Sequence, residues 1–404
     1  MPKRKFVFKL KIILMKIKSL KWRKLRTDDA LRYILSEYIA KMDYDFVCDN
    51  CWGFYAPFYK NKRTKYIKIL HTSVAFQIAH QPKRFFDELS AFDLLIYPST
   101  QIDIWQHYHK NIRTIPNFLP RIPSKSTNHA QKVVLSVGRF SSEKGFLRLL
   151  DIWGMVQEMI ANPNANRKSP TSSLRGARSE ASATKQSKSS DLKRQSESRI
   201  EKQINIDSLQ VRDSPKVQSL PDRLPRFGVA ESRNNDRDSP SLAEGDTGGG
   251  FDSQNLTQWK LIIVGDGILK PEIESKIHAL NLQDSIILKP FTKDIESEYL
   301  SASIYAMASH FEGFGMVLAE ASSYSLPCIA FDIATGPSDI IEHNQSGFLI
   351  ADNDLESYAK HLIMLMNDES MRERFGSGAK KLVGKRFSKE VVMEKWGEVF
   401  EMQL

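Results

Sequence analysis

Residues 310–328 read HFEGFGMVLAEASSYSLPC. Glu312 and Glu320 stand eight residues apart, and between them Gly-Phe-Gly leads into an apolar run. Glycine costs about 1 kcal/mol inside a helix relative to alanine, so Gly313 and Gly315 read as the entry to a helix. There the free N–H groups and the helix dipole favour a phosphate or a polar sugar, and the missing Cβ atoms admit a ligand close to the backbone. Glu320, two turns in, lies too far along to sit beside that anion. It is placed to accept hydrogen bonds from adjacent hydroxyls such as those of a ribose. The stretch reads as a site for a nucleoside diphosphate joined to a polyol.

The flanking sequence supplies the sheet such a helix needs. Upstream, KVVLSVGRF gives an apolar strand, Val133 to Val137, broken by Gly138. EKGFLRLLDIWGMVQEMI follows with Leu147, Leu150, Trp153 and Met155–Val156 at helical spacing. WKLIIVGDG, SIILKPF, IYAMAS and PCIAFD read as further buried strands, with KPEIESKIHALNL and DIESEYLSAS as helices between them, and GPSDIIEHNQSGFLI as a helix start, a turn and a short strand. Strands alternating with helices predict a doubly wound parallel sheet, whose ligands sit beyond the carboxyl ends of the strands. Gly138-Arg139, Gly265-Asp266-Gly267, His310 to Gly315 and Thr335 to Ser338 all fall at those ends. Arg139 and Lys144 are two cations on one crossover, able to neutralise a diphosphate without a metal.

Between these strands the composition changes. From about Pro163 to Asn255 the chain is rich in Ser, Arg, Lys, Asp, Gln and Gly, repeats RDSP at Arg212–Pro215 and Arg237–Pro240, and closes on Gly248 to Gly250. It has too little apolar content to offset chain entropy and is expected to be a disordered insertion, tolerated at a surface.

Before the sheet, DFVC, YIKIL and DLLIYPS read as buried strands, and TIPNFLP as a proline-rich hinge between domains. The first 26 residues carry no acid and alternate lysines with apolar residues. They predict either a basic amphipathic segment on anionic headgroups or an ordinary cationic element with one apolar face. The chain of 404 residues has a net charge of +10 and three cysteines, which suits a reducing compartment and excludes a disulfide scaffold. Cys48 and Cys51 form a C-x-x-C with no second ligand pair at zinc spacing, and read as structural. No run of 18 apolar residues predicts a membrane span.

SVGRFSSEKG, LIIVGDG, EGFGMVLAEA and ASSYSLPCIAFDIATGPSDII occur in that order. From Lys132 onward, less the insertion, the chain resembles the C-terminal domain of the retaining nucleotide-sugar glycosyltransferases with two facing Rossmann-like domains (glycosyltransferase family 4, GT-B fold, group 1). The resemblance implies that Arg139 and Lys144 bind the donor diphosphate and Glu320 the ribose. Glu312 would lie catalytically near the transferred sugar, with Gly313, Phe314 and Gly315 giving backbone contacts. It implies a UDP-sugar donor, metal-independent chemistry with no cofactor, and transfer of a hexose or N-acetylhexosamine to a glycan or lipid-linked acceptor in bacterial surface polysaccharide synthesis. TGPSDII looks like the version in enzymes of lipopolysaccharide or capsule synthesis. KILHTS resembles the family strand ending in a histidine beside donor sugar and acceptor, which nominates His71 as catalytic; the alternative is a polar histidine closing a strand. TIPNFLP matches the hinge, with Asn117 at its asparagine.

One departure stands out. Such N-terminal domains open with a strand and a Gly-rich turn, whereas the first glycine here is Gly53. The expected division is therefore a basic segment over 1–26, a shortened acceptor-side domain over 27–128, a nucleotide-sugar domain over 129–162 and 256–385 interrupted by the insertion over 163–255, and a terminal helix over 386–404 returning to the N-terminal domain. A cytoplasmic protein, peripheral at the inner membrane face, is expected. A remnant that binds nucleotide-sugar without catalysis is the alternative, and no specific nucleic-acid partner is expected.

Overall fold

Short runs in the first third of the chain pair side by side around two central strands that are buried on both faces, as parallel strands favour. In the computed structural model, which describes residues 27–42, 44–50, 60–72, 74–162 and 253–401, these are β1 (Phe46–Asp49), β2 (Lys65–Ile69), β3 (Leu94–Tyr97) and β4 (Ile112–Thr114). They form a parallel sheet in the order β1-β2-β3-β4. The fourth strand, IRT, is too short and too polar to stand out in the sequence, and it forms by pairing Leu95 with Ile112 through Tyr97 with Thr114. The proposed basic segment over 1–26, Cys51, Gly53, the RDSP repeats and most of the insertion lie outside the described residues.

The second sheet contains β5 (Val133–Val137), β6 (Lys260–Val264), β7 (Ile286–Lys289), β8 (Ile304–Met307), β9 (Cys328–Asp332) and β10 (Gly347–Ala351). It is all parallel in the order β10-β9-β8-β5-β6-β7, the doubly wound order of a dinucleotide-binding fold. β5 and β6, separated by the long insertion in sequence, pair residue for residue from Val133–Lys260 to Val137–Val264. Ser253–Leu256 is helical, and Leu256 is buried with Trp259. This helix includes the last three residues of the stretch assigned from the sequence to the insertion.

Helix Phe146–Ala161 covers one face of this sheet with Leu149, Leu150, Trp153, Val156 and Ile160. Fully burying each such side chain contributes about 1.5–3 kcal/mol. The helix Met316–Ser323 covers the other face through Leu318, Ala319 and Ala321. Two further helices, Leu355–Asn367 and Glu369–Phe387, follow, each started by an aspartate whose carboxylate accepts a backbone N–H: Asp354 from Ser357 at 2.9 Å and Asp368 from Met371 at 2.8 Å. The last helix, Lys389–Glu401, leaves this sheet and places Val392 and Val399 among Ile67, Leu94 and Ile96 of the first. The chain passes between the two sheets at one place: Leu119 N donates to Phe387 O at 2.8 Å, beside a parallel bridge from Leu119 to Ser388.

Candidate functional site

The order of the second sheet reverses between β5 and β8, and the crevice at their carboxyl ends is where such sheets take ligands. Gly138–Phe140 leaves β5 on one side. Ala308–Gly315 leaves β8 on the other. Two cavities meet there, and Arg139, exposed, borders both.

The first cavity, about 600 Å³, is lined by Gly138, Asp266, Phe291, Lys293, Val317 and Glu320. Glu320 Oε2 accepts a hydrogen bond from the buried Tyr299 hydroxyl at 3.0 Å. Burial raises the Glu320 carboxyl above the ordinary glutamate value, and the Tyr299 donor works against the rise. Burial, with Tyr305 and Glu320 nearby, raises the Tyr299 phenol well above its usual value, so it remains a donor.

The second cavity, about 710 Å³, is lined by His71, Lys144, Ile268, Phe311, Glu312 and Gly313 among others. Glu312 is 8% exposed. Its Oε1 is held by Lys144 Nζ and by Ser309 Oγ, each at 2.7 Å. A buried carboxylate needs such partners, because an unpaired one costs several kcal/mol. Lys144, expected to bind diphosphate, therefore spends part of its donor capacity on Glu312. The Ser309 and Ala308 carbonyls accept from the buried Arg148, whose guanidinium also meets Asp352 Oδ1 at 2.8 Å. Thr335 Oγ1 donates to the Glu312 carbonyl. The carboxylate and the main chain on either side of it are thus fixed from three directions.

Gly313 explains why the Gly-Phe-Gly sequence is needed. A Cβ there would lie 1.9 Å from the His71 carbonyl oxygen, so only glycine lets the loop after β8 touch the loop after β2. Gly315 has φ +92 and begins the helix Met316–Ser323. Phe314 is turned away from the cleft: its side chain is 3% exposed and packs edge-on against Phe387 at 5.1 Å. His71 is exposed on the opposite wall, and partial burial and then Lys68 lower its pKa, favouring the neutral ring at pH 7. Lys68 is itself buried against Asp49 at 2.8 Å.

The structure brings His71, Arg139, Lys144, Glu312 and Gly313 to one cavity, and Arg139 with Glu320 to the other. Sequence reading placed Thr335 at a strand end without a partner and missed Tyr299, Ser309 and Arg148. Arg148 carried a signal, since a lone arginine within FLRLLDIW stands in an apolar run and is rarely buried without partners. The others are ordinary polar residues whose roles come from tertiary contacts alone.

Residues 251–382 match the family model described as glycosyl transferases group 1. The amylovoran biosynthesis glycosyltransferase AmsD of Erwinia amylovora is 36% identical over 141 residues, 35% of this chain and 39% of that protein. The poly(ribitol-phosphate) alpha-N-acetylglucosaminyltransferase of Staphylococcus aureus is 33% identical over 141 residues, 35% of this chain and 29% of that protein. The first curated relatives are matched over only 15–40% of their length. Among solved structures, the lipopolysaccharide outer core galactosyltransferase WaaB aligns with a TM-score of 0.55 at 14% identity, covering 93% of this chain and 80% of that one. The pneumococcal O-GlcNAc transferase GtfA in complex with UDP and GlcNAc aligns with a TM-score of 0.55 at 16% identity, covering 92% and 59%. At these identities the likeness is one of fold, and it spans both sheets.

Proposed function

We propose that this chain, which carries a glycosyl transferases group 1 domain over residues 251–382, moves a hexose or N-acetylhexosamine from a UDP-sugar to a glycan or lipid-linked acceptor of bacterial surface polysaccharide, with retention at the anomeric carbon. The observation that carries this reading is Arg139, which borders a cavity holding Glu320 and a second holding Lys144, Glu312, Gly313 and His71. A nucleotide-sugar is a molecule of that layout: a diol at one end, two phosphates at the middle, a polyol at the other.

In this arrangement Glu320 accepts hydrogen bonds from the ribose hydroxyls. Arg139, Lys144 and the N–H groups opening the helix Met316–Ser323 carry the diphosphate charge. Glu312 and the backbone of Gly313 to Gly315 orient the transferred sugar opposite His71. As the bond from the anomeric carbon to the phosphate oxygen breaks, the acceptor oxygen bonds to that carbon on the same face. Its proton passes to the departing phosphate. Cations aimed at the phosphate lower the barrier because the leaving charge develops there. Bringing acceptor and donor together between the two sheets supplies the remainder as orientation. A UDP donor is favoured by the UDP seen in GtfA and TarM structures of this fold, and a surface-glycan role by the names of AmsD and its relatives.

The test is a panel of UDP-sugars against the purified chain, read by thermal stabilisation and by release of UDP. A ligand at 100 times its dissociation constant adds about 2.7 kcal/mol. Stabilisation by no UDP-sugar, or undiminished binding in both Glu320→Ala and Arg139→Ala, overturns the site. Binding without turnover on any acceptor supports instead the nucleotide-binding remnant.

A further inference from the structure

Asp339 belongs to the short helix Pro337–Ile340 of the second sheet's half, yet its partners lie in the first. Its Oδ1 accepts from Thr100 twice, from the backbone N–H at 3.0 Å and from Oγ1 at 2.5 Å. One residue earlier, Ser338 Oγ accepts from Gln101 Nε2 at 2.8 Å. Thr100 follows β3, whose last residue, Tyr97, is fully buried. Beside this clasp Tyr97 and Trp105 are fully buried. Burial pushes the Tyr97 phenol up to about 12, with Thr335 and Trp105 beside it pulling the other way.

The other side of the same segment faces the candidate site. Thr335 Oγ1 donates to the Glu312 carbonyl. Gly336 has φ +102, and a Cβ on it would lie 2.7 Å from Phe314 O and 3.2 Å from Glu312 Cβ. Thr335 and Gly336 are thus the wall on which Glu312 to Phe314 rests, three residues from the carboxylate that holds Thr100.

The geometry points to Asp339 as a positioning residue: by gripping Thr100 of the other half it fixes Thr335–Gly336 against Glu312–Phe314 and so sets the sugar end of the cleft. The inference rests on the proposed transfer of a sugar from UDP. It goes beyond that reading by assigning residues that touch neither donor nor acceptor and that act on the transfer step alone, since Arg139 and Glu320 lie outside the clasp.

Three variants test it: Thr100→Val, which removes one donor at constant size; Thr100→Ser, which keeps it; and Asp339→Ala. Three quantities are read on the full chain: UDP affinity by calorimetry, kcat and KM for UDP-sugar turnover, and amide hydrogen exchange over residues 311–316. Thr100→Val and Asp339→Ala are expected to lower kcat by about tenfold or more, to leave UDP affinity within about twofold, and to speed exchange over 311–316, while Thr100→Ser behaves as wild type. Unchanged kcat and exchange in both loss variants overturn the role, as does UDP affinity falling in step with kcat. If the wild-type chain binds no UDP, the proposed function falls, and the exchange measurement alone decides whether Asp339 holds Glu312–Phe314.

Discussion

Replacing Arg148 with methionine removes the polar support of the loop that bears Glu312 and keeps most of the buried volume. Arg148 is 7% exposed. Its Nε donates to Ala308 O at 2.6 Å, its Nη2 to Ser309 O, and its Nη1 to Asp352 Oδ1 at 2.8 Å and Asn353 Oδ1 at 3.1 Å. The guanidinium also lies 4.1 Å from the Phe331 ring centre. Two buried carbonyls lose their donors, about 1–3 kcal/mol each. The pair with Asp352, whose side chain is 41% exposed, adds at most about 1 kcal/mol, and the ring contact about 0.5–2 kcal/mol. Against these stands relief of the desolvation that lowers the Arg148 pKa. The net loss is about 2–5 kcal/mol, so the unfolding midpoint should fall by roughly 4–20 °C at about 2–4 °C per kcal/mol. Thermal unfolding followed by circular dichroism measures it. Arg148→Lys keeps the charge but cannot reach all four acceptors, and should fall between methionine and wild type. A midpoint within about 2 °C of wild type for Arg148→Met would refute the reasoning, because the Ala308 and Ser309 carbonyls would then be satisfied by something other than this guanidinium.

Gly313→Ala places a Cβ 1.9 Å from the His71 carbonyl; a misplacement of about 1 Å at a reacting centre costs about 100-fold, so UDP-sugar turnover should fall by that order while UDP still binds, and turnover within about threefold of wild type would contradict the contact. Glu320→Gln should weaken UDP binding roughly tenfold, since hydrogen bonds to a charged acceptor exceed those to a neutral one by about 1 kcal/mol. Because the Glu320 pKa is raised by burial and the ionised form is the acceptor, wild-type affinity is full above that raised pKa and is lost as pH falls through it. The ratio of wild-type to Glu320→Gln affinity should therefore collapse at a pH above the ordinary 4.5, and a ratio constant down to that value rejects the role. With Arg139 and Lys144 carrying the donor charge, UDP-sugar turnover should persist in excess EDTA; loss on chelation and recovery with a divalent cation would assign that charge to a metal instead.

The second sheet was legible because its strands carry apolar runs and the turns after β5, β6, β8 and β9 carry glycines, and because neither signal depends on distant contacts. The insertion did not hide it, since β5 and β6 keep their register across it. The helices Leu355–Asn367 and Glu369–Phe387 were left unassigned in the sequence although Asp354 and Asp368 stand at their starts, each with the capping signature of an acidic residue three positions before the N–H it accepts. The site was nominated from the sequence where the proposed chemistry calls for a residue type, as for Arg139, Lys144, Glu312 and Glu320, which the structure places along the two cavities. It was not legible where a common residue acts through a fold-dependent neighbour. Ser309 reaches Glu312 across one turn of loop, Tyr299 reaches Glu320 from another helix, and Thr100 and Asp339 meet across 239 positions. No spacing rule links such pairs.

That division follows the division of labour in the cleft. Arg139, Glu320 and Tyr299 belong to the second sheet and its helices, so the proposed nucleotide end lies within one half of the fold. The proposed sugar end is shared: His71 and Thr100 come from the first sheet, Glu312 and Asp339 from the second, and Gly313 is the point where the backbones touch. Substitutions at the nucleotide end should therefore change affinity for UDP and UDP-sugar together, while substitutions across the contact should change turnover with UDP affinity intact. The polypeptide passes between the halves at Leu119 and Phe387–Ser388, where a backbone hydrogen bond and a parallel bridge join the strands. Away from that crossing, the join near the sugar end rests on side-chain hydrogen bonds worth about 0.5–3 kcal/mol each. Helix Lys389–Glu401 adds an apolar join through Val392 and Val399, but it packs on the first sheet and not at the cavities, so single residues at the hydrogen-bonded contact are expected to govern the rate of the proposed transfer.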